Sequence, residues 1–391
     1  METARLRDLQ DRLEQHFKWF HEHPEPSNGE VETTARIRDI LQKAGIETVA
    51  APPGGGLKTG LVARIRGKAE KPVVALRCDI DALPITEESG LPYSSRNSGF
   101  MHACGHDFHT TSLLGAALLL NDERETLEGT VKLIFQPAEE GGGGALQVLE
   151  TGVLDDVSEI YGLHVASDQA SGLIGISPGA THAGVGMFKI AIKGKGAHAA
   201  APHHGRDPIV AAAQLINAAQ IILSRTIDPF DQAVLSFTHV EAGTTWNVIP
   251  EEALLEGTFR AFTTEKLTWI AERLEACCRG IAEAMRLAID CGWWTYTPAT
   301  NNDPALSEFA AETARSLRFP VAPVGRVMGG EDFAIYQQRI PGVFWTIGVN
   351  SPQGTHHPGF IADRAQLSSS ARLHAALARR SLERLRGRGT A

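Results

Sequence analysis

Strands that are apolar from end to end and then break abruptly into charge constrain the fold of this chain more than any other feature. The run Pro72-Val73-Val74-Ala75-Leu76 has no polar face, which suits a strand covered on both sides in a mostly parallel sheet. It gives way at once to Arg77-Cys78-Asp79-Ile80-Asp81. The pattern recurs: a helix expected over 107–120 leads to the strand Val131–Phe135, which ends in Gln136-Pro137-Ala138-Glu139-Glu140, and the strand Glu159–Gly162 ends in Leu163-His164. Alternating strands and helices of this length predict an α/β fold built on a doubly wound, mostly parallel sheet. Such sheets bind ligands beyond the carboxyl ends of their strands, and here those ends carry acids, a cysteine or a histidine.

The middle of the chain has a different order. Periodicity predicts a strand over Met187–Ile192, a helix over Asp207–Arg225, strands over Ala233–Val240 and Ala253–Phe262, a helix over Thr264–Met285 and a strand over Ala288–Thr297. That βαββαβ order is the ferredoxin-like split unit. The α/β pattern resumes with a helix over Pro304–Leu317, a strand over Val343–Ile347 and a helix over Ser368–Arg386. A domain over 183–298 is therefore expected as an insertion into a larger domain made of 1–182 and 299–391. The 391 residues are more than one core usually serves. At the start, Leu6, Leu9, Leu13, Phe17 and Phe20 recur at helical spacing until His23-Pro24, and a second helix over Glu32–Ala44 stops at Gly45.

Charge excludes some partners. Lys and Arg number 37 against 46 Asp and Glu, a net charge of −9, so nothing in the balance points to nucleic acid. Arg379, Arg380, Arg384, Arg386 and Arg388 read as a solvated helix end. No run approaches the ~20 apolar residues of a membrane helix. The charged start Met1-Glu2-Thr3-Ala4-Arg5-Leu6-Arg7-Asp8 lacks the apolar stretch of a secretory signal. The cysteines at 78, 104, 277, 278 and 291 are odd in number, which argues for reduced thiols and a cytoplasmic location.

Four places concentrate metal-ligating side chains. Met101-His102-Ala103-Cys104-Gly105-His106-Asp107-Phe108-His109 sets a cysteine among histidines just before a helix, where thiolate and imidazole can meet one ion. Chance clustering among 15 histidines is the alternative. Glu139-Glu140 follows a strand. A buried pair of adjacent carboxylates needs a cation or a shared proton, whereas an exposed pair is an acidic turn. One of the two can bind metal while the other holds a water as general base. Gly141–Gly144 precede no Lys-Ser/Thr and so form no phosphate loop. His164 ends the next strand, and Gly354-Thr355-His356-His357-Pro358 follows a late one. A lone histidine at a strand end is more often structural, but together these positions carry the donors of a metal site. Trp246, Phe259 and Phe333 read as core aromatics.

In order along the chain, Arg77-Cys78-Asp79-Ile80-Asp81-Ala82-Leu83-Pro84, His102-Ala103-Cys104-Gly105-His106-Asp107, Gln136-Pro137-Ala138-Glu139-Glu140-Gly141 and Gly162-Leu163-His164-Val165 resemble motifs of the M20 metallopeptidases. The resemblance is to the amidohydrolase branch, which includes hippurate hydrolases, N-acyl-amino-acid deacylases and auxin-conjugate hydrolases. It continues through Gly194-Lys195-Gly196-Ala197-His198, Asn247-Val248-Ile249-Pro250, Gly257-Thr258-Phe259-Arg260, Gly329-Gly330-Glu331-Asp332-Phe333 and His356-His357-Pro358, and so spans nearly the whole chain. Two departures are the segment Phe20-His21-Glu22-His23-Pro24-Glu25-Pro26, a variant of the branch's usual motif, and Cys78, where the branch usually has Ala.

The resemblance implies a metal-dependent amidohydrolase with two divalent ions per subunit, Mn²⁺ or Zn²⁺, with Co²⁺ and Ni²⁺ as further candidates. The implied ligands are Cys104, His106, Glu140, His164 and His356, with Glu139 as the base. His356 is taken over His357 because the family's ligand precedes the proline by two positions. Asp81 matches the acid that hydrogen-bonds a ligand imidazole. His198, in the inserted domain, is implied to reach the substrate carbonyl of the neighbouring subunit, with Asn247 and Arg260 helping to hold the substrate. The insertion would then be both a lid and the interface of a homodimer, or of a tetramer assembled from it. The implied substrate is a small N-acyl amino acid or peptide, with no nucleic-acid or membrane partner. A dipeptidase or aminopeptidase on the same dinuclear site is the alternative.

Overall fold

Four parallel strands make the centre of the larger sheet, and the apolar runs supply them. In the computed structural model, which describes residues 2–49 and 56–388, these strands lie in the order Thr130–Gln136, Val73–Asp79, Glu159–Ala166 and Gly342–Gly348. Side chains of 2–5 and 388 lie outside the described residues, so the expectations for the start of the Met1–Asp8 segment and for Arg388 are not addressed by the structure. Leu61–Arg66 adds to one side antiparallel, followed by Glu47–Val49, and Ile174–Gly175 and Val321–Ala322 extend the other side. The sheet is thus mixed at its margins and parallel where it is deepest.

Charge does not end the Val73–Asp79 strand as expected: Arg77, Cys78 and Asp79 continue it, and all seven residues are buried. The Arg77 guanidinium donates to Asp79 Oδ2 at 2.7 Å and to Gln136 Oε1 at 2.8 Å. A buried charge is tolerable when paired and hydrogen-bonded in this way, so the ion pair lets the strand run on. The helices His106–Asp122 and Leu367–Arg388 cover this sheet, and Glu2–Glu22 packs on both helices. Leu13, Phe17, Leu113, Leu114 and Leu377 join one core there, each such side chain contributing roughly 1.5–3 kcal/mol when fully buried.

The end of the final helix is solvated at Arg386, as expected, but three of the arginines before it are held by partners. Arg379 reaches Glu123 at 2.8 Å, Arg380 donates to Thr313 Oγ1 at 3.0 Å and Arg384 pairs with Glu159. The helix lies along its unit rather than projecting from it, so these long side chains find partners.

The chain divides into two compact units, one of residues 1–179, 301–325 and 335–391 and one of residues 180–300 and 326–334. In the second, the strands Ala233–Ala242, Glu252–Ala261, Gly184–Lys193 and Ala288–Thr297 form an antiparallel sheet in that spatial order. With the helices Pro208–Ile221 and Thr264–Met285 this is the βαββαβ arrangement. Phe188, Ile190 and Ile192 enter the core, whereas Met187, Lys189 and Lys193 are exposed, the alternation of a sheet covered on one face. Asp207 caps the first helix through the N–H groups of Ile209 and Val210, with Pro208 at its first turn, and Thr263 caps the second through Lys266. The segment 326–334 joins this unit as Ala183 N–H donates to the carbonyls of Val327 and Gly329.

Two sequence expectations change here. Pro208–Thr226, 19 residues with mean hydropathy 1.2, is long and apolar enough by composition to cross a membrane. In the fold it is a sheet-covering helix that buries Ala211, Ala212, Leu215, Ala219 and Ile222. Phe259 and Phe333 are core residues, but Trp246 is 91% exposed, because it lies in the turn after Ala233–Ala242 rather than on a covered face.

Candidate metal centre

Every implied ligand belongs to the first unit and sits at or beyond the carboxyl end of a central strand or at the start of the helix facing it. Asp81 follows Val73–Asp79 by two residues and organises the rest. Its carboxylate accepts the N–H of Glu139 and of Glu140, both at 3.1 Å, and the Ser27 hydroxyl at 2.7 Å. His106 Nδ1 donates to the Asp81 carbonyl at 2.9 Å, with the carboxylate Oδ1 at 3.3 Å. Burial pushes the Asp81 carboxyl up, but the bonds from His106, Ser27 and Glu140 outweigh it and hold the group below the usual carboxylate range.

The turn carrying the two glutamates is strained to do this. Ala138 is left-handed at φ +52°, a conformation costly for a residue with a Cβ, and its N–H is held at 2.8 Å by Glu30. Glu30 is itself buried and accepts from Thr59 at 2.6 Å and from the Asn28 N–H at 3.0 Å. Gly144 closes the turn: a Cβ there would lie 1.6 Å from the Pro137 carbonyl oxygen. The glycine run therefore serves a tight return of the chain.

His106 begins its helix after Gly105, which is left-handed at φ +83° and leaves no room for a Cβ against Val165. With Nδ1 committed to Asp81, His106 presents Nε2, a buried atom without a hydrogen-bond partner among the described residues, 4.0 Å from Glu140 Oε1. His164 donates from Nδ1 to the Val165 carbonyl at 2.7 Å and turns Nε2 to Cys104 Sγ at 3.3 Å. His356, also left-handed at φ +65°, brings Nε2 to 3.3 Å from Glu140 Oε1. His357 instead caps its own turn, accepting from the Gly359 N–H.

The donors form overlapping triplets whose ligand atoms lie within 4.8 Å of one another. Cys104, His106 and His164 make one; Cys104, Glu140 and His356 make another; His106, Glu139 and Glu140 make a third. Two triplets share the Cys104 sulfur, and each mixes thiol, imidazole or carboxylate as a borderline divalent ion prefers. Burial and the charges of Glu140 and Glu139 raise the Cys104 thiol, while His106 opposes them, so without a cation it keeps its proton. An orphaned imidazole nitrogen facing carboxylates and a thiol is a site that a cation completes, and the residues present fit two such ions.

His109, part of the same sequence cluster, has a different task. Its Nδ1 donates to Asp79 at 2.6 Å and its Nε2 accepts the Val165 N–H at 2.9 Å, so no lone pair is left for an ion. Burial lowers it to about 4, against the pull of Asp79. It locks the strand beside His164 to Asp79. His102 is fully buried and joins none of the donor groups found among the described residues. His21 bridges Asp107 at 2.6 Å and Glu87 at 3.1 Å, and those carboxylates overcome its burial and raise it to about 9.

Sequence reasoning missed Glu30, Ser27 and the role of His109. Only the Ser27-Asn28-Gly29 turn signal, just before Glu30, hinted that this loop had a fixed conformation.

The remaining expected residues lie in the second unit. His198 is exposed on the short strand Ala197–His198, directly opposite Val248, and its Nδ1 accepts the Ala200 N–H at 3.0 Å. Asn247 precedes that partner strand, and its carbonyl accepts the Ala199 N–H at 3.0 Å. His198 and Asn247 thus meet at one small antiparallel pair of strands distant in sequence. Arg260 is on Glu252–Ala261, half-buried, and burial lowers its guanidinium. Glu331 and Asp332 are buried.

Comparison with known proteins agrees with this geometry. Residues 75–380 match the model of peptidase family M20/M25/M40. An N-acetylcysteine deacetylase of Bacillus subtilis is 46% identical over 92% of this chain and 94% of its own length. IAA-amino acid hydrolase ILR1-like 4 of Arabidopsis thaliana is 41% identical over 94% of this chain and 85% of its own. Thermostable carboxypeptidase 1 of Saccharolobus solfataricus is 35% identical over 95% and 96%. Among solved structures, the Bacillus subtilis YXEP protein, described as a dinuclear metal-binding peptidase of the M20 family, superposes with a TM-score of 0.87 at 43% identity, covering 96% of this chain and 99% of that one. Motif order, sheet topology and the shared-cysteine donor set lead to one assignment: this chain belongs to the M20/M25/M40 peptidase family, as a metal-dependent hydrolase of amide bonds.

Proposed function

We propose that the protein deacylates N-acyl amino acids, hydrolysing their amide bond at a centre of two divalent ions, Mn²⁺ or Zn²⁺, held by Cys104, His106, Glu140, His164 and His356. The observation that carries this reading is the orphaned His106 Nε2 among a thiol and carboxylates with Glu139 alongside. The resemblance to a deacetylase and an auxin-conjugate hydrolase supports the substrate class. When bound, the ions supply Lewis acidity that lowers the pKa of a water and polarises a carbonyl.

Glu139 is the group that moves the proton. Asp81 fixes its backbone, so its carboxylate stands beside Glu140 and His106. It takes a proton from the attacking water and later delivers it to the leaving amine nitrogen. His198 donates to the substrate carbonyl oxygen of the neighbouring subunit, and Asn247 and Arg260 hold the substrate, in a homodimer formed through the second unit. Closure of a lid that carries a donor would also exclude water from the reacting centre.

Glu139→Gln should retain both ions and lose turnover by several orders of magnitude. His198→Ala should lose about a hundred- to a thousand-fold with metal content unchanged. Mixing the two variants should restore part of the activity, since a hybrid dimer contains one site with both groups. Shown subunit exchange without recovered activity would place the donor within one chain. The dipeptidase or aminopeptidase reading predicts the opposite substrate order. After chelation and reconstitution with single metals, hippurate and N-acetyl amino acids should be cleaved faster than the matching free dipeptides.

A further inference from the structure

Three of the five cysteines lie in the second unit, outside the ligand set. The helix Thr264–Met285 turns back through Arg286 and Leu287 into the strand Ala288–Thr297. Cys278 is seven residues before the helix end, about 10 Å up its axis. Cys291 is three residues into the strand, also about 10 Å from the turn. The two therefore stand level. Along the strand, Ile289, Cys291 and Trp293 pack against the core while Ala288, Asp290 and Gly292 are exposed, so Cys291 is on the helix side. The neighbouring rung fixes the register: Trp293 Nε1 donates to Glu275 Oε1 at 2.8 Å, Glu275 being one turn before Cys278 and Trp293 two residues after Cys291. The Cys278 side chain, 2% exposed, and the half-buried Cys291 side chain therefore point into the same helix–strand layer at the same level.

Exposure divides the roles. Cys291 is the more accessible sulfur, and the buried Cys278 thiol lies behind it as the resolving group. Cys277, next along the helix, is turned about 100° away.

We propose that Cys278 and Cys291 are a dithiol site that hydroperoxides convert to a disulfide joining the helix to the edge strand of the second unit. The Cys291 thiolate attacks one peroxide oxygen; the O–O bond breaks, giving a sulfenic acid and, with a proton, water or an alcohol. The Cys278 sulfur then attacks the Cys291 sulfur, an S–S bond forms, and hydroxide leaves with the Cys278 proton as water. Two electrons pass from the thiols to the peroxide, and two protons accompany them.

The test uses the full-length, metal-loaded protein in a Cys277→Ser background, so that the linked residue is unambiguous. After a few equivalents of hydrogen peroxide, blocking with N-ethylmaleimide and digestion without reductant, mass spectrometry should find a Cys278–Cys291 linked peptide as the main oxidised product. Dithiothreitol should remove it. Cross-linking positions 278 and 291 should raise the melting midpoint of the second unit by about 5–10 °C, reversibly. Adding Cys278→Ser should let dimedone trap Cys291 as a sulfenic acid, and adding Cys291→Ser should leave Cys278 a thiol. Cys291 found as sulfinic acid beside an N-ethylmaleimide-blocked Cys278 in the Cys277→Ser protein would overturn the proposal, as would peroxide leaving both thiols blocked.

Discussion

Replacing Asp81 with asparagine tests the organisation of the centre without removing a metal ligand. The carboxylate accepts two main-chain N–H groups at 3.1 Å and a hydroxyl at 2.7 Å, and His106 Nδ1 stands at 3.3 Å. An amide keeps the shape but has one acceptor oxygen, so its NH₂ must face either the Glu139 or the Glu140 N–H. One charge-assisted bond is lost and one buried donor is left unpaired, together about 2–4 kcal/mol. For a unit of this size that corresponds to a fall of roughly 5–12 °C in the melting midpoint of the metal-free protein. The glutamate turn then shifts, and metal affinity should drop by about 10- to 100-fold. Thermal unfolding after chelation followed by metal titration separates the two effects, and Ser27→Ala, which removes one donor only, should cost about 1 kcal/mol or less. A metal-free Asp81→Asn protein melting within about 1 °C of the original, with affinity within twofold, would refute the reasoning.

His374 is buried against Trp345 without a hydrogen-bond partner among the described residues, and burial, with a smaller contribution from His109, lowers it to about 3. Its folded value lies below the unfolded 6.5, so the unfolded chain binds the proton first and stability falls as pH drops from 6.5 toward 3, by about 2 kcal/mol at pH 5. His374→Leu should flatten that acid limb in denaturant titrations; an unchanged slope would count against it. Gly105→Ala should destabilise by about 2–4 kcal/mol and weaken metal binding in calorimetry, since its Cβ would lie 2.6 Å from Val165 Cγ2 at φ +83°. Arg77→Met leaves Asp79 charged and buried and should cost about 3–5 kcal/mol in chemical denaturation, with part recovered in the Arg77→Met/Asp79→Asn double variant.

The elements whose hydrophobic period matches their surroundings were legible in the sequence: Thr264–Met285 and Ala288–Thr297 fall where periodicity places them. The Arg77–Asp79 extension was not, because local charge reads as a strand end and only the fold shows that the two charges neutralise each other. Leu61–Arg66 does not stand out in the sequence either; it is an antiparallel strand on a sheet whose centre is parallel, and Arg64 and Arg66 break its apolar run. The donor residues stood out because Cys, His and Glu at strand ends are chemically distinctive. Glu30 did not, since its bond to Ala138 joins positions 108 apart and leaves no periodic trace. The exposure of Trp246 is not legible either, because an aromatic side chain carries no sign of whether a second layer covers it.

The position of Gly342–Gly348 in the sheet has a consequence for how the protein is made. This strand pairs with Glu159–Ala166, yet it is synthesised 176 positions later, counting from 166 to 342. At ordinary translation speed that gap is on the order of 10–35 s. Throughout it the nascent chain offers one open strand edge bearing Ile160, Tyr161, Leu163 and Val165, the kind of surface that invites pairing with other chains. The antiparallel sheet of the second unit draws all its strands from 184–297 and can close while the ribosome is still working. The larger unit cannot close its central sheet before residues 342–348 are made, and its ligand set is complete only once His356 has emerged.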